Sequence, residues 1–142
     1  MGTTFYSDSS GESLKAALEI RNASARRNAR RNYFASFACY AIAIVTSLVA
    51  TIAISVDLLP KAWLATLSAV PGTALLVASV FSFEKKSEWY WTRQRFYDAI
   101  LMRLTYEKLE VATASKELRI FDAEMEKQYP KFGAMPQNMQ KK

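Results

Sequence analysis

No charged side chain interrupts YFASFACYAIAIVTSLVATIAISV, residues 33–56, and none interrupts AWLATLSAVPGTALLVASVFSF, residues 62–83. In an α-helix, about 20 apolar residues at 1.5 Å each cover the roughly 30 Å hydrocarbon core of a bilayer. Buried helices of soluble proteins rarely remain uncharged on every face over such a length. The two stretches therefore predict two transmembrane helices. The alternative is a helical hairpin buried inside a soluble oligomer.

A short connection between the stretches predicts their topology. Only residues 57–61 separate them, so the two helices should be antiparallel neighbours, with Pro60 ending the first. Six Lys and Arg residues precede the first stretch and twelve follow the second, whereas the connection contains Lys61 alone. The positive-inside rule then places both termini in the cytoplasm. The predicted fold class is an all-α membrane protein, an antiparallel two-transmembrane helical hairpin with long cytoplasmic helical extensions at both termini.

Helix breakers predict the extent of each segment. Residues 12–59 and 73–129 contain no glycine or proline, which is typical of long helices. Ser9-Ser10-Gly11-Glu12 has the spacing of a capping box and predicts a helix that begins near residue 10 and continues into the first span. The predicted organisation is a cytoplasmic N-terminal amphipathic helix at 1–32, a transmembrane hairpin at 33–83 with helices at 33–57 and 62–83, a cytoplasmic helical region at 84–129 and a disordered tail at 130–142.

An apolar stripe with alternating spacings of three and four follows the second span. Its members are Tyr97, Ile100, Leu104, Val111, Ala114, Leu118, Phe121 and Met125, interrupted by Glu107. Such a stripe predicts a partner helix, which is either the N-terminal helix around Leu14, Ala17 and Leu18 or a contact with another subunit or a sensor protein. Two alternatives remain for residues 84–129: one unbroken helix of roughly 70 Å, or a turn at the weak helix formers 112–115 that folds residues 116–129 back.

Small side chains recur along both spans and are candidates for helix packing in lipid. The first seam comprises Ala35, Cys39, Ala43, Ser47, Thr51 and Ser55, and the second comprises Ala65, Ser68, Gly72, Leu75, Ser79 and Ser82. The residues predicted to make the transmembrane packing contacts are Ala43, Ser47, Thr51, Ser55, Ser68, Gly72 and Ser79. These seams face either each other within one hairpin or neighbouring subunits in a homo-oligomer. Pro71-Gly72 at mid-span predicts a bend.

Composition excludes most catalytic and metal sites. The chain has no histidine and one cysteine, which excludes imidazole bases, Ser/His and Cys/His nucleophilic pairs and zinc clusters. Neither span contains an ionisable group of the kind that proton relays require. We therefore predict a protein that is not an enzyme, without catalytic residues, metal or cofactor.

The net charge of +6 predicts an anionic partner. Arg26, Arg27, Arg30 and Arg31 lie directly before the first span, where anionic headgroups are within reach. The lipid bilayer, rather than nucleic acid, is therefore the predicted partner.

Several loosely spaced basic and aromatic motifs accompany this layout. They follow the arginine-rich helix in the order Tyr33-Phe34, the two spans with their five-residue turn, Phe83-Glu84-Lys85-Lys86, Trp89-Tyr90, Arg93-Gln94-Arg95-Phe96-Tyr97-Asp98 and Tyr106-Glu107-Lys108-Leu109. Over about residues 12–125 the chain resembles the SLATT family, the two-transmembrane effector domains of bacterial conflict systems. The resemblance implies an anti-phage defence effector that oligomerises and permeabilises the bacterial inner membrane under control of a cyclic-nucleotide signal.

The resemblance leaves the source of control open. No sensor domain accompanies the spans in these residues, so either a cyclic nucleotide binds this chain or a separate component, such as a nucleotide-signal synthetase, controls it. Arg93, Arg95 and Arg103 are the candidate nucleotide-binding residues, and a solvated, lipid-facing row of charges is the alternative. A competing function is a non-toxic membrane scaffold or accessory subunit that recruits a partner through its cytoplasmic helix.

Overall fold

The structure is a computed structural model that describes residues 5–56 and 60–130, with side chains from residue 10 onward. Within these ranges the helices are α1 (Phe5–Ser55), α2 (Lys61–Phe81), α3 (Phe83–Tyr106) and α4 (Val111–Lys127), and there is no strand. The predicted all-α class is confirmed. The disordered tail predicted at 130–142 lies, apart from Pro130, outside the described residues, as do loop residues 57–59.

Helix α1 is longer than the capping box predicted. It begins at Phe5, upstream of Ser9-Ser10-Gly11-Glu12, and continues to Ser55 without a break at the predicted boundary between residues 32 and 33. The continuation into the first span is confirmed, whereas the predicted start near residue 10 is wrong. Gly11 is tolerated inside the helix, where glycine costs only about 1 kcal/mol relative to alanine.

A single residue separates α2 from α3. Ser82 adopts a left-handed conformation with φ 51° and ψ 42°, and its N–H donates to the carbonyl oxygen of Ser79 at 3.2 Å. The rings of Phe81 and Phe83, on either side of this residue, stack with centroids 5.5 Å apart. Helix α2 itself continues through Pro71. The second apolar stretch therefore ends close to the predicted boundary at residue 83.

The turn between α3 and α4 lies earlier than the weak helix formers at 112–115 predicted. Lys108 has a φ of 54°, and the N–H of Leu109 donates to the carbonyl oxygen of Arg103 at 3.2 Å. At helix ends with one residue in the left-handed conformation, glycine normally takes that position. Because a lysine takes it here, the sequence gives little indication of the turn. Residues 112–115 instead form the first turns of α4.

Contacts divide the chain into two compact units. Among the described residues, the polar unit comprises 5–30 and 86–129, and the apolar unit comprises 31–56 and 60–85. The polar unit is a bundle of the first part of α1 with α3 and α4. Its core contains Leu18, Ala25, Tyr97, Ile100, Leu104, Ala114 and Leu118.

The apolar stripe of α3 and α4 is confirmed as the core of the polar unit. Tyr97 and Ile100 are each 1% exposed, and Ala114 is fully buried. From α1, Leu18 is buried and Leu14 packs against the same core, whereas Ala17 is exposed. The stripe is therefore satisfied within the chain, as the intramolecular alternative predicted.

Close approach of α3 to α1 in the polar unit depends on small residues. Ala29 is fully buried, and Ser87 Oγ donates to its carbonyl oxygen at 3.0 Å. A hydroxyl can reach a helix backbone only where the side chains between the two helices are small. Ala25, one turn earlier, is also buried.

We expect Ala29→Leu to destabilise the polar unit by about 1–3 kcal/mol, because a leucine overpacks the contact with Ser87. Ala23→Leu is the matched control, since Ala23 is exposed on the same helix. Chemical unfolding of the purified full chain, followed by circular dichroism, measures both variants. Equal stability of the two would contradict this packing.

Candidate functional site

Two stretches of helix are long and apolar enough to cross a membrane, Ser10–Ser55 and Lys61–Tyr106. Their most apolar 18-residue windows have mean hydropathies of 2.3 and 1.8, yet only 17% and 6% of these windows are buried. The core helix of a soluble domain would be mostly buried. In the single chain, a large apolar surface is instead exposed, including Ile44, Val45, Leu48, Ile52, Ile54, Trp63, Leu75 and Leu76.

The buried side of α1 in the apolar unit consists of small residues. Ser36, Ala43 and Ala50 are buried at a spacing of seven, and Ala53 is buried one turn later. In α2, Ala78 is buried. Further positions of α2 are half-buried on the same side, namely Leu64, Leu67, Pro71 and Ala74. Small side chains allow backbones to approach closely where lipid removes the hydrophobic driving force.

Of the seven residues predicted for transmembrane packing, the structure buries Ala43. The other six are exposed in the single chain, namely Ser47, Thr51, Ser55, Ser68, Gly72 and Ser79. A strict spacing of four advances by about 40° per step relative to an α-helix of 3.6 residues per turn, so the first seam winds away from the buried side. A spacing of seven drifts much less. The six exposed residues do not pack within the chain, and packing between copies stays a prediction.

Several hydroxyl groups of the two apolar stretches are hydrogen-bonded to their own helices. Thr51 Oγ1 donates to Ser47 O at 2.9 Å, and Ser55 Oγ donates to Thr51 O at 2.8 Å. Ser68 Oγ likewise donates to Ala65 O at 2.9 Å. Such bonds to the preceding turn satisfy the hydroxyl proton without a second helix. These side chains can therefore face lipid without an unsatisfied donor.

Residues of both apolar helices line one open groove of about 490 Å³ in the apolar unit. The lining residues are Cys39, Ile42, Thr66, Ala69, Val70, Thr73, Ala74 and Val77. Thr73 Oγ1 donates to Ala69 O at 3.0 Å, so its hydroxyl proton is also satisfied within the helix. The groove is thus an apolar surface suited to acyl chains or to another helix.

Asp122 of α4 is the centre of a polar cluster in the polar unit. Its carboxylate accepts hydrogen bonds from Arg93 at 3.0 Å, from the Tyr97 hydroxyl at 2.8 Å and from Arg21 at 3.2 Å. Arg21, Arg93 and Asp122 belong to α1, α3 and α4 respectively, so one carboxylate connects all three helices of the bundle. Ion pairs with partly buried partners are stronger than exposed ones.

Trp89 and Arg93 extend this cluster along α3. The guanidinium carbon of Arg93 lies 4.7 Å from the centre of the Trp89 ring, a cation–π distance. The indole N–H of Trp89 donates to the carbonyl oxygen of Met125 at 2.7 Å. Arg93 is therefore held on three sides, by a carboxylate, a phenol and an indole.

The predicted nucleotide-binding residues have different environments. Arg93 is paired with Asp122, and Arg103 forms a two-pronged pair with Glu117 of α4, at 2.6 and 3.3 Å. Arg103 also lies 3.7 Å from Glu107. Arg95 is exposed and forms no ion pair within the described residues. The structure thus places two of the three guanidinium groups against carboxylates of the same chain, and nucleotide binding by these residues stays a prediction.

A second polar group connects α1 to α3. Asn22 Nδ2 donates to Asp98 Oδ1 at 2.5 Å, and Gln94 Nε2 donates to the other oxygen of the same carboxylate. The Asn22 Oδ1 atom is buried and accepts no hydrogen bond in the structure. Asp98 therefore accepts hydrogen bonds from two amide donors, and no ion pair to it is found among the described residues.

Three groups of the polar unit have perturbed pKa values, and all lie outside the two apolar stretches. Burial, followed by the hydrogen bond to Asp122, raises the pKa of Tyr97 above its ordinary value of 10.0. Burial and the neighbouring Tyr129 raise the pKa of Tyr90. The hydrogen bonds from Arg103 to Glu117 raise the pKa of this guanidinium. At neutral pH all three groups keep their protons.

Within the described residues, no group of three or more acidic or cysteine side chains is placed to hold a metal ion. Comparison of the chain with known protein families, curated proteins and solved structures finds no match.

Sequence reasoning missed the carboxylate clusters around Asp122 and Asp98. Their local parts have recognisable spacings of four, as in Arg93 with Tyr97 and Gln94 with Asp98. Their long-range partners are more than twenty positions away along the chain. Only the packing of α4 against α3, and of α1 against both, identifies them.

We expect Asp122→Asn to weaken the docking of α4 by about 2 kcal/mol, because two guanidinium groups lose their anionic partner. Hydrogen exchange of the α4 amides in the purified full chain measures this change. Glu124→Gln removes a carboxylate from an exposed position of the same helix and should leave exchange unchanged. Identical exchange in both variants would mean that the cluster does not stabilise the bundle.

We also expect the polar unit to lose stability in alkaline solution through Tyr97. Because the folded state raises its pKa, the contribution is complete below about pH 10 and decreases as pH rises through the higher folded value. Tyr97→Phe should make the unfolding free energy less dependent on pH between about pH 9 and pH 11. Tyr106→Phe, at an exposed tyrosine, should keep the wild-type slope. An unchanged slope in Tyr97→Phe would refute this assignment.

Proposed function

We propose that the chain is a multi-pass protein of the bacterial inner membrane, an antiparallel hairpin of residues 33–57 and 62–83 with both termini in the cytoplasm. The exposed apolar side chains of the apolar unit support insertion. Basic residues concentrated before residue 33 and after residue 83 support this orientation. The polar unit then lies on the cytoplasmic side, where its ion pairs are solvated.

We further propose that the protein is a membrane effector of an anti-phage defence system, which oligomerises and permeabilises the membrane under control of a cyclic-nucleotide signal. The observation that carries the proposal is a surface of small and hydroxyl side chains that the chain does not use for its own packing. In lipid, such surfaces bring helices of different subunits together. The resemblance to the SLATT family supplies the defence context.

The exposed small residues share one side of the proposed hairpin. If the buried sides of α1 and α2 face each other, a rotation of about 100° per residue places Ser47, Thr51 and Ser55 on one side of the hairpin. The exposed small residues of α2 lie on the same side. The α2 members of this surface are Ser68, Gly72 and Ser79. The groove lined by Cys39, Ile42 and Thr66 opens on the opposite side. One hairpin thus has two unlike lateral surfaces, as a head-to-tail ring of subunits requires.

The chemistry of this surface defines the proposed pore. Its hydroxyl groups are neutral, and the spans contain no ionisable group, so a water-filled lumen would select poorly between ions. Such a pore would abolish the membrane potential rather than transport one substrate.

The ion pairs of the polar unit support control by a separate component. A nucleotide phosphate at Arg93 or Arg103 would have to displace Asp122 or Glu117. A nucleotide-signal synthetase or another partner that binds the polar unit avoids this competition. No observation favours the alternative of a scaffold that recruits through its cytoplasmic stripe, because that stripe is buried within the chain.

We expect Gly72→Leu and Ser47→Leu each to weaken subunit association about tenfold and to slow depolarisation. A Cβ atom at Gly72 would meet no atom within 4 Å, and Ser47 is exposed, so both leucines fit the single chain. Native mass spectrometry measures the oligomer, and a potential-sensitive dye measures permeabilisation in cells and in liposomes.

Ala62→Leu is the matched control, because it adds similar bulk at an exposed position about 180° around α2 from the half-buried Pro71, away from both lateral surfaces. If Gly72→Leu and Ser47→Leu assemble and depolarise like wild type, the small-residue surface does not join the subunits. If the wild-type chain leaves the membrane potential unchanged with and without cyclic nucleotides, the effector function is wrong.

A further inference from the structure

We propose that Arg26, Arg27, Arg30 and Arg31 form a binding site for the phosphodiester groups of anionic phospholipids. This inference rests on the membrane insertion proposed above. It goes beyond a determinant of topology, because it assigns these arginines a selective contact with one class of lipid headgroup.

The four arginines surround the outer side of α1. Ala29, which lies between them in the sequence, is fully buried, and its carbonyl oxygen accepts a hydrogen bond from Ser87 of α3. The direction of Ala29 therefore defines the buried side of α1 at this level. At about 100° per residue, Arg26 and Arg30 lie roughly 60° and 100° from Ala29 around the helix. Arg27 and Arg31 lie roughly 160° and 200° away by the same rotation. All four are exposed.

These guanidinium groups have no partner within the described chain. The ion pairs among the described residues involve Arg21, Arg93 and Arg103, and none involves residues 26–31. The sequence also has no acidic residue between Glu19 and Asp57. Arg21, Arg93 and Arg103 are thus paired with carboxylates of the chain. The four arginines directly before the first apolar stretch remain available to an external anion.

The position of the arginines along α1 matches the headgroup layer. Arg31 and Arg26 precede Tyr33 by two and seven residues, or about 3 and 10 Å at 1.5 Å per residue. The polar layer of a bilayer is roughly 5–8 Å thick on each side, and arginine side chains reach several ångströms further. All four guanidinium groups can therefore reach phosphate oxygens while residues 33–56 occupy the hydrocarbon core.

The shape of the surface suits a headgroup. Arg26, Arg27 and Arg30 border an open groove of about 540 Å³ together with Asn22, Ala23 and Glu19. Glu19 lies two helical turns before Arg26, at the end of the groove that is further from the membrane. Guanidinium groups bind phosphate oxygens in pairs of parallel hydrogen bonds, which a lysine cannot do. Charge and geometry both favour a phosphodiester.

Native mass spectrometry of the full chain in an uncharged detergent tests the site. The chain is titrated with phosphatidylglycerol or with phosphatidylcholine of the same acyl chains, and inorganic phosphate is added as a competitor in a third arm. The variants are Arg26→Gln/Arg30→Gln and, on the same arc, Arg27→Gln/Arg31→Gln. Lys116→Gln/Arg119→Gln removes the same charge from exposed positions of α4 and is the matched control.

We expect the wild type to bind phosphatidylglycerol at least about tenfold more tightly than phosphatidylcholine. Either α1 variant should lower the affinity for phosphatidylglycerol about 25-fold, at roughly fivefold for each of the two charges removed. The control should retain wild-type affinity. Equal binding of the two lipids, an equal loss in the control, or displacement of phosphatidylglycerol by millimolar phosphate would overturn the proposal. Because the variants are at exposed positions, circular dichroism should show unchanged helix content.

Dye release from liposomes separates this proposal from the proposed function. Release without any preference for phosphatidylglycerol contradicts the headgroup site but not the effector function. Preferential binding of phosphatidylglycerol without dye release contradicts the effector function but not the headgroup site.

Discussion

Close approach of other helices to one side of α1 is the interaction on which both units depend. Ala25 and Ala29 provide that side in the polar unit, and Ser36, Ala43 and Ala50 provide it in the apolar unit. In the apolar unit, the spacing of seven residues drifts by only about 20° per repeat, so Ser36, Ala43 and Ala50 stay on one side of the helix. The driving force differs between the units. Burial from water dominates around Tyr97 and Ile100, whereas dispersion between closely packed backbones would dominate in the apolar unit if it is inserted in lipid as proposed.

This arrangement determines where the larger and charged side chains go. In the apolar unit, small residues occupy the buried side of α1, and its large apolar side chains are exposed. In the polar unit, Leu18 is buried with Ala25 and Ala29, and Arg26, Arg27 and Arg30 are exposed. In the polar unit, ion pairs and hydrogen bonds add to the apolar core. Asp122 of α4 accepts hydrogen bonds from side chains of α1 and α3 and so connects all three helices. Removing one helix would leave partly buried charges unpaired, so the three helices should unfold together.

The sequence predicted most of the fold because its strongest signals are long and repetitive. Uncharged stretches predicted the apolar helices, and the stripe from Tyr97 to Met125 predicted the core of the polar unit. The first small-residue seam was predicted from a spacing of four, which drifts around a helix. The residues that the structure buries, Ser36, Ala43 and Ala50, are instead seven apart. The turn at Lys108 lacked a glycine to mark it. Arg93 and Arg103 looked free because their partners, Asp122 and Glu117, approach only after α4 folds back.

The hydroxyl groups of the spans donate to their own backbones, and this has a consequence for how copies of the chain would meet. Thr51, Ser55 and Ser68 do not require a second copy of the chain to satisfy their protons, so at these positions a single chain in lipid would carry no polar penalty that assembly must relieve. Association would then follow mass action within the plane of the bilayer. The number of chains per area of membrane, more than the strength of any one contact, would decide whether the protein rests as single hairpins or assembles.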